Sequence, residues 1–296
     1  MISRDVLERK FRTFVALSAA VLALEIVGGI VTESLALLSD SFHVLTDLVS
    51  MLLAYFSIRL AKRGANTKFT FGYYRAEIIS AAMNGGLLFF ITFYIFYNAY
   101  LRLINPVSVR SGEMLVISII GLAANLYVAI RMRDSTKDNL NVRGAYLHVL
   151  SDTMSSVGVV AGGAIIAITG ADIIDPIISI MIGCFILANS LGLIRESLLI
   201  LMESTPKSID IDSIERDMKN VEGVEDVHDI HVWSISSDLY SMSSHIIVDT
   251  ENSARINEIV KRIDQMLKEK HNIAHTTIQS ECDRCVDEKK IKEGND

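Results

Sequence analysis

The sequence predicts an α-helical membrane bundle of six transmembrane helices, followed by a C-terminal α+β, ferredoxin-like cytoplasmic domain. Nearly all of the apolar residues fall within residues 12–201, in runs longer than a soluble domain of this size requires. Beyond residue 204 the pattern changes to short amphipathic segments. The charge divides at the same place, because residues 1–204 carry a net charge of +1 and residues 205–296 carry −8.

Six segments are long and apolar enough for membrane spans, since a crossing helix needs about 20 mostly apolar residues. They are residues 12–31, 35–58, 77–103, 113–131, 145–169 and 174–201. The first is too long for the apolar core of a signal peptide and is predicted to remain as an uncleaved span. The second and fifth are less hydrophobic because each contains polar residues.

Basic residues orient the predicted bundle. Lysine and arginine concentrate in residues 4–12, 59–75 and 131–143, whereas the alternate loops contain few of them. Positively charged loops stay on the cytoplasmic side. Both termini are therefore predicted to be cytoplasmic, as an even number of spans requires.

The last third of the chain shows the periodicities of a small α-β-β-α-β domain. Residues 210–220 and 254–270 predict amphipathic helices, and residues 227–236, 242–249 and 273–280 predict strands. This order suits a sheet covered by helices on one side. We therefore predict a membrane domain at residues 1–203, a cytoplasmic domain at 204–286 and a disordered tail at 287–296.

Composition also excludes some functions. The acidic tail argues against nucleic-acid binding, because phosphate recognition needs a basic face. Cys184 lies in an apolar segment, and Cys282 and Cys285 form one CxxC. The three cysteines therefore give no disulfide framework and favour a reducing compartment.

Two predicted spans carry the same pair of ionisable residues at the same spacing. The second span contains His43 and Asp47, and the fifth contains His148 and Asp152. Four residues of helix place both side chains of a pair on one face, about 6 Å apart along the axis. Two such helices packed face to face would present two imidazoles and two carboxylates, the number of ligands that a tetrahedral zinc site takes.

The alternative is that these polar residues only hold the helices together. Ionisable groups at membrane depth are costly, however, and they tend to mark ion or proton pathways. Identical spacing in two separate spans favours the metal site. The small residues Ser155, Gly158 and Gly162 of the fifth span further predict a close approach of these two helices.

Together with several other segments, these motifs make the sequence resemble the cation diffusion facilitator family, in particular its zinc-transporting branch. The match covers most of the chain, and the combination of segments is specific although no single one is. The segments are LEIVGG at 24–29, SDSFHVLTD at 39–47, FTFGYYRAE at 69–77, Asn125, LHVLSD at 147–152 and VHDIHVW at 227–233.

The resemblance implies a homodimeric antiporter that exchanges a cytoplasmic divalent cation for protons. Carried over residue by residue, the transport site is His43, Asp47, His148 and Asp152. Related manganese or iron carriers have Asp where this chain has His43. Because imidazole suits zinc and cobalt whereas all-oxygen sites favour harder ions, Zn²⁺ is the expected substrate, with Cd²⁺ and Co²⁺ left open.

The chemistry of these ligands predicts the coupling. A metal-binding imidazole must be neutral and its carboxylate partners ionised, so metal and protons compete for the same groups. Protonation of His148 or of a carboxylate is expected to help release the ion.

Several other polar residues of the spans have open roles. Asp40 lies three residues before His43, and it is expected either to hydrogen-bond a ligand or to lie on the ion's path. Asn125 has the same two candidate roles. For Glu25, Glu77 and Asp175, a structural contact and a transport role are equally open.

The resemblance also implies metal binding and dimerisation in residues 204–286. By motif match, His228, His245 and Glu281 carry over as ligands, and Cys282 and Cys285 add thiolates beside Glu281. Zinc would act there as a regulatory ligand that ties two domains together and biases the membrane part. His231 alternates differently along its strand and is not expected to be a ligand.

Three alternatives remain beside the zinc exporter. A membrane-bound zinc metalloenzyme would need an open coordination position and a general base, but the sequence contains no HExxH, GxSxG or P-loop. A passive channel and a manganese or iron carrier of the same family are the others. Four protein ligands would close the metal site, so the chain is not expected to be an enzyme.

Overall fold

The computed structural model describes residues 4–61, 63–133, 140–236, 239–249 and 253–281. Within these ranges it leaves aside the side chains of residues 4–15, 47, 51, 54, 55, 58, 61, 132, 133, 140–148 and 151. The chain divides into two compact units, residues 1–59 with 79–195 and residues 60–78 with 196–296. This division assigns the loop at 60–78 to the second unit; the domain bounds predicted above remain a prediction.

Six long helices form the first two thirds of the chain. They are α1 (Arg4–Thr32), α2 (Leu35–Ala61), α3 (Arg75–Ile104), α4 (Ser111–Arg133), α5 (Leu140–Thr169) and α6 (Ile174–Leu201). Most bounds lie within three residues of the predicted spans, but α1 and α5 begin earlier, in polar segments that hydropathy alone does not include.

The described residues contain four helices long and apolar enough to cross a membrane. These are Arg75–Ile104, Ser111–Arg131, Asp152–Thr169 and Ile174–Leu201, and Ala16–Thr32 is a shorter apolar helix. Their outward faces carry large apolar side chains such as Phe90, Met154 and Ile168, all strongly exposed. Such faces suit a hydrocarbon solvent. These helices fit the predicted helical membrane domain, whereas the count of six spans remains a prediction.

The interior of the helical unit is a contiguous apolar cluster. It includes Leu37 of α2, Ile95 of α3, Met114 of α4, Ile166 of α5 and Ile186 of α6, all almost completely buried. Five helices therefore share one packed core, which fixes their relative positions.

Of the small residues expected to bring the fifth span close to the second, Ser155 contacts Asp40 of α2, whereas Gly162 meets α6. Gly158 has open space where a side chain would begin, and a Cβ on Gly162 would collide with Ile178 of α6. Gly163 instead lies against the backbone of Leu115 in α4. The glycines Gly162 and Gly163 therefore pack α5 against α6 and α4, and side-chain hydrogen bonds join α5 to α2.

One buried carboxylate, Asp175 in the first turn of α6, holds the N-terminus of α2. It accepts hydrogen bonds from the Ser34 hydroxyl (2.6 Å) and from the backbone N–H groups of Leu35 (2.7 Å) and Ala36 (3.1 Å). Arg102 of α3 donates a further bond (3.2 Å). The first N–H groups of a helix lack partners within the helix and favour a negative charge. Asp175 is therefore structural.

The second unit contains a small α+β domain with the predicted element order. Its elements are α7 (Ile211–Lys219), β1 (Val224–Ser236), β2 (Leu239–Val248), α8 (Ser253–His271) and β3 (Ile273–Glu281). Strand β2 lies in the middle of the sheet, antiparallel to β1 and parallel to β3. Side chains of both helices, such as Met218 and Ile263, pack with Val227, Met242 and Ile246 of the strands in one core.

Polar contacts fasten the helices and loops of this unit. Lys270 and His271 at the end of α8 donate hydrogen bonds to Asp217 of α7, and these bonds hold the pKa of Asp217 below its usual value. Arg75, in the segment at 60–78, pairs with Glu203, which follows the end of α6, at 2.8 Å. Both side chains of that pair are exposed, so the pair contributes little stability.

We expect Asp175→Asn to destabilise the helical unit. An amide keeps the shape but removes the charge that faces three donors and Arg102, at a cost of about 2–3 kcal/mol. The thermal unfolding midpoint of the detergent-purified protein should fall by about 5–10 °C. Glu113→Gln is the control, because its 3.8 Å contact with Arg110 is exposed and should not matter. Equal midpoints for both variants would contradict the role of Asp175.

Candidate metal-binding sites

A buried imidazole and a carboxylate from two different helices meet inside the helical unit. His43 Nε2 of α2 lies 3.1 Å from Asp152 Oδ1 of α5, and their side chains are only 8% and 14% exposed. Both residues occupy helix faces that the packing of α2 and α5 turns inward. Two groups predicted from sequence to share a site are therefore brought together.

The other two predicted ligands, Asp47 and His148, have side chains outside the described residues. Their backbones lie on α2 and α5, one helical turn from His43 and from Asp152. A spacing of four residues in a helix keeps each pair on one face. The helical backbone thus retains the geometry on which the four-ligand hypothesis depends.

The carboxylate of Asp40, which lies one turn before His43 on α2, is hydrogen-bonded by serine hydroxyl groups. It is almost fully buried and accepts hydrogen bonds from Ser155 (2.8 Å) and Ser156 (3.0 Å) of α5. Asn125 of α4 in turn donates to the Ser156 hydroxyl at 3.1 Å. Asp40 and Asn125 therefore join α2, α4 and α5 next to His43, in the arrangement expected of residues that support a site.

Glu25 is a buried residue whose role the sequence left open. Glu25 of α1 is 1% exposed, and its Oε2 atom is buried without a hydrogen-bond partner among the residues that the structure describes. The signal in the sequence was a single carboxylate within an apolar span, which is costly and therefore informative. Glu77, by contrast, is exposed at the start of α3.

A second cluster of possible ligands lies on the sheet of the second unit. His228 of β1 and His245 of β2 are directly opposite each other in the strand register. Their neighbours Val227 and Ile246 face the helix-covered core. Because side chains alternate along a strand, both imidazoles project from the other face of the sheet.

Glu281 at the end of β3 completes this cluster. Its Oε1 lies 3.0 Å from His245 Nδ1, and its Oε2 lies 3.4 Å from His228 Nε2. One ligand atom from each of the three residues lies within 4.8 Å of the others. Ligands about 2.0–2.1 Å from a tetrahedral ion are about 3.4 Å apart, so these separations suit zinc.

His231 is separated from this cluster by an irregularity in β1. The register shifts between His228 and His231, where Asp229 adopts a positive φ of 53°. His231 Nε2 contacts Asp229 Oδ1 at 3.0 Å and is half exposed. The expectation that His231 is not a ligand fits this position. Cys282 and Cys285, the other predicted ligands, lie outside the described residues.

Comparison with known proteins gives two matching family models. The cation efflux transmembrane domain matches residues 12–202, and the cytoplasmic domain of cation efflux proteins matches residues 206–282. Together they cover almost the whole chain.

Individual relatives agree with these matches. The metal cation efflux system protein CzcD of Cupriavidus metallidurans is 42% identical over 279 residues, which cover 94% of this chain and 88% of the relative. The cadmium, cobalt and zinc/H⁺-K⁺ antiporter of Bacillus subtilis is 42% identical, with 87% and 84% covered. The zinc transporter ZitB of Pectobacterium atrosepticum is 34% identical, with 92% and 85% covered.

Among solved structures, the metal-bound C-terminal domain of the CzcD transporter from Cupriavidus metallidurans matches with 33% identity and a TM-score of 0.23. The match covers 25% of this chain and 99% of that domain.

We expect zinc to stabilise the second unit through His228, His245 and Glu281. Trp233 of β1 is the only tryptophan of the chain, so its fluorescence reports the unfolding of this unit. Zinc at 100 times its dissociation constant should add about 2.7 kcal/mol to the free energy of unfolding. His245→Ala should abolish this gain, whereas His231→Ala should retain it. Equal gains in the two variants would contradict the assignment.

Proposed function

The chain belongs to the cation efflux family of multi-pass membrane transporters, and from this premise we propose that it exports zinc in exchange for protons, through a site formed by His43, Asp47, His148 and Asp152. The observation that carries the proposal is the 3.1 Å separation of His43 Nε2 and Asp152 Oδ1. Cadmium and cobalt, which the names of relatives also mention, would use the same ligands.

The distance between His43 and Asp152 has the size that zinc ligation needs. Ligands bound about 2.0–2.1 Å from a tetrahedral ion are about 3.4 Å apart. The two side chains would need to separate by only a few tenths of an ångström to admit the ion. Asp47 and His148, one turn away on the same two helices, would supply the remaining ligands.

Competition between zinc and protons supplies the coupling. A proton that His43 Nε2 shares with Asp152 occupies the nitrogen lone pair that zinc would take. Metal binding therefore releases a proton, and protonation releases metal. The name of the Bacillus subtilis relative describes exchange for H⁺ and K⁺, which supports counter-transport by this chain.

The composition of the site separates zinc from harder ions. Two imidazoles beside two carboxylates suit zinc, cobalt and cadmium, whereas manganese favours oxygen ligands. A manganese or iron carrier of the same family is the second candidate. The metalloenzyme alternative is excluded, because the family and its relatives are metal transporters.

The topology that we propose has six spans, with both termini in the cytoplasm. The spans would correspond to α1–α6, and the family model of the cation efflux transmembrane domain covers residues 12–202. The basic residues at 59–75 and 131–143 then face the cytoplasm. The α+β domain after α6 lies on the same side, where it would meet cytoplasmic zinc.

In the cytoplasmic domain we propose a regulatory zinc site in a homodimer. His228, His245 and Glu281 would supply three ligands, and Cys282 and Cys285 lie one and four residues after Glu281 in the sequence. The family name for this region describes a cytoplasmic domain of cation efflux proteins. We propose that this domain has a ferredoxin-like fold and dimerises with the same domain of a second chain. Zinc would bind on the sheet face that carries the histidines.

Purified protein in liposomes should accumulate zinc against its gradient when protons flow in the opposite direction. His43→Ala and Asp152→Asn each remove one ligand and should lower the initial rate at least about tenfold. A zinc-sensitive and a pH-sensitive dye inside the vesicles measure both fluxes. Glu113→Gln, an exposed carboxylate at the start of α4, is the matched control. Uptake that ignores the pH gradient or survives both substitutions would refute the exchange.

His43→Asp is expected to change which metal is carried. It replaces a nitrogen ligand by oxygen, which should reduce zinc transport and increase manganese transport. The ratio of the two initial rates in the same vesicles measures the change. His275→Asp, on the exposed surface of β3, is the control for adding a carboxylate. A wild-type protein that already prefers manganese would instead favour the second candidate function.

A further inference from the structure

Glu25 is buried within the helical unit, but it is neither one of the proposed metal ligands nor part of a hydrogen-bonded contact that joins the described helices. It belongs to α1, whereas His43 and Asp152 belong to α2 and α5. Its side chain is almost fully buried, and no side chain or backbone group in the described part of the chain hydrogen-bonds Oε2. Burying an ionised carboxylate without partners is very costly, so a carboxyl in this position is expected to be neutral unless its surroundings change.

The groups that face Glu25 offer it no positive charge among the described residues. Helix α4 presents Gly121, and a Cβ at that position would collide with Glu25 Oε1. The carboxyl group therefore rests directly on the backbone of α4. From α2, the group that faces Glu25 is Asp40, whose charge repels that of Glu25.

Asp40 differs from Glu25 in how its oxygens are satisfied. Ser155 donates to Oδ1 and Ser156 to Oδ2, and such bonds stabilise the ionised form of a carboxylate. Two like charges side by side in a buried site cannot both be retained cheaply. When one of the two carboxyl groups carries a proton, the unsatisfied Glu25 is the one that holds it.

Asp40 also connects Glu25 electrostatically to the transport site. It interacts with both His43 and Asp152, the pair that we propose to bind zinc. A divalent ion at that pair would neutralise the carboxylates around it and reduce the repulsion that Glu25 experiences. The free energy of ionising Glu25 therefore depends on whether zinc is present.

We propose that Glu25 is a proton-binding site of the exchanger, separate from the metal ligands, that is protonated when the transport site is empty and gives up its proton when zinc binds. This inference rests on the proposed zinc–proton exchange and deepens it. The Glu25 O–H bond breaks, the electron pair remains on the carboxylate, and the proton passes to water. The reverse occurs when zinc leaves, so Glu25 adds to the protons exchanged per metal ion.

The test is the number of protons released when zinc binds to the full-length protein in weakly buffered detergent solution. We expect Glu25→Gln, which mimics the protonated side chain, to bind zinc about as tightly as the wild type and to release about one proton fewer per zinc. Protons from the second unit cancel in this difference. Glu113→Gln should release the wild-type number.

A pair of glycine variants gives an independent measurement if Glu25→Gln fails to fold. Gly121→Ala places a methyl group against Glu25 Oε1, whereas Gly112→Ala on the same helix points into open space. Gly121→Ala should shift the pH dependence of proton release, and Gly112→Ala should leave it unchanged. An unchanged curve for Gly121→Ala would count against the proposal.

Failure of this inference is distinguishable from failure of the proposed function. A wild-type proton count in Glu25→Gln overturns the role of Glu25 while leaving zinc–proton exchange intact. Loss of zinc binding in Glu25→Gln also overturns it, because Glu25 would then belong to the metal site. If the wild-type protein itself releases no protons on binding zinc, the exchange proposal falls.

Discussion

A carboxylate buried among apolar helices is tolerated only where those helices supply its hydrogen bonds or a proton, and this constraint organises the helical unit. Asp175 meets it with the N-terminus of α2 and with Arg102, Asp40 with the two serines of α5, and Asp152 with His43. Each solution joins at least two helices. The groups that make the site chemically useful are therefore also the groups that position it, so the site and the scaffold cannot be altered independently.

The second unit places ligands by a different rule. In a sheet with one covered face, alternation alone sends every second side chain to the open face. His228 and His245 reach that face as direct neighbours across two strands, and Glu281 joins them from the third. Glu281 is only 11% exposed, and the imidazoles of His228 and His245 face its carboxylate. A metal ion there would bind or leave with little rearrangement of the core.

Most of the fold could be predicted because apolar runs and apolar periodicity show which surfaces avoid water. The six helices follow from the runs and the α-β-β-α-β order from the periodicity, and the face-to-face packing of two HxxxD helices predicted the contact of His43 with Asp152. The sequence could not predict which helix Gly162 packs against, because a small residue permits a close approach to any neighbouring helix. The sequence also could not assign a role to Asp175, because its hydrogen-bond partners are distant in the chain. It could not assign Glu25 either, because the distinguishing feature of Glu25 is an oxygen that no described residue hydrogen-bonds.

The capping of α2 by Asp175 has a consequence for biosynthesis. The carboxylate and the backbone N–H of Leu35 that it binds are 140 residues apart in the chain. A ribosome adding about 5–20 residues per second needs about 7–28 seconds to produce the intervening segment. During that interval the first turn of α2 must find other partners, such as water or lipid headgroups at the membrane surface. The cap on the helix that carries His43 can therefore form only after Asp175 of α6 has been synthesised.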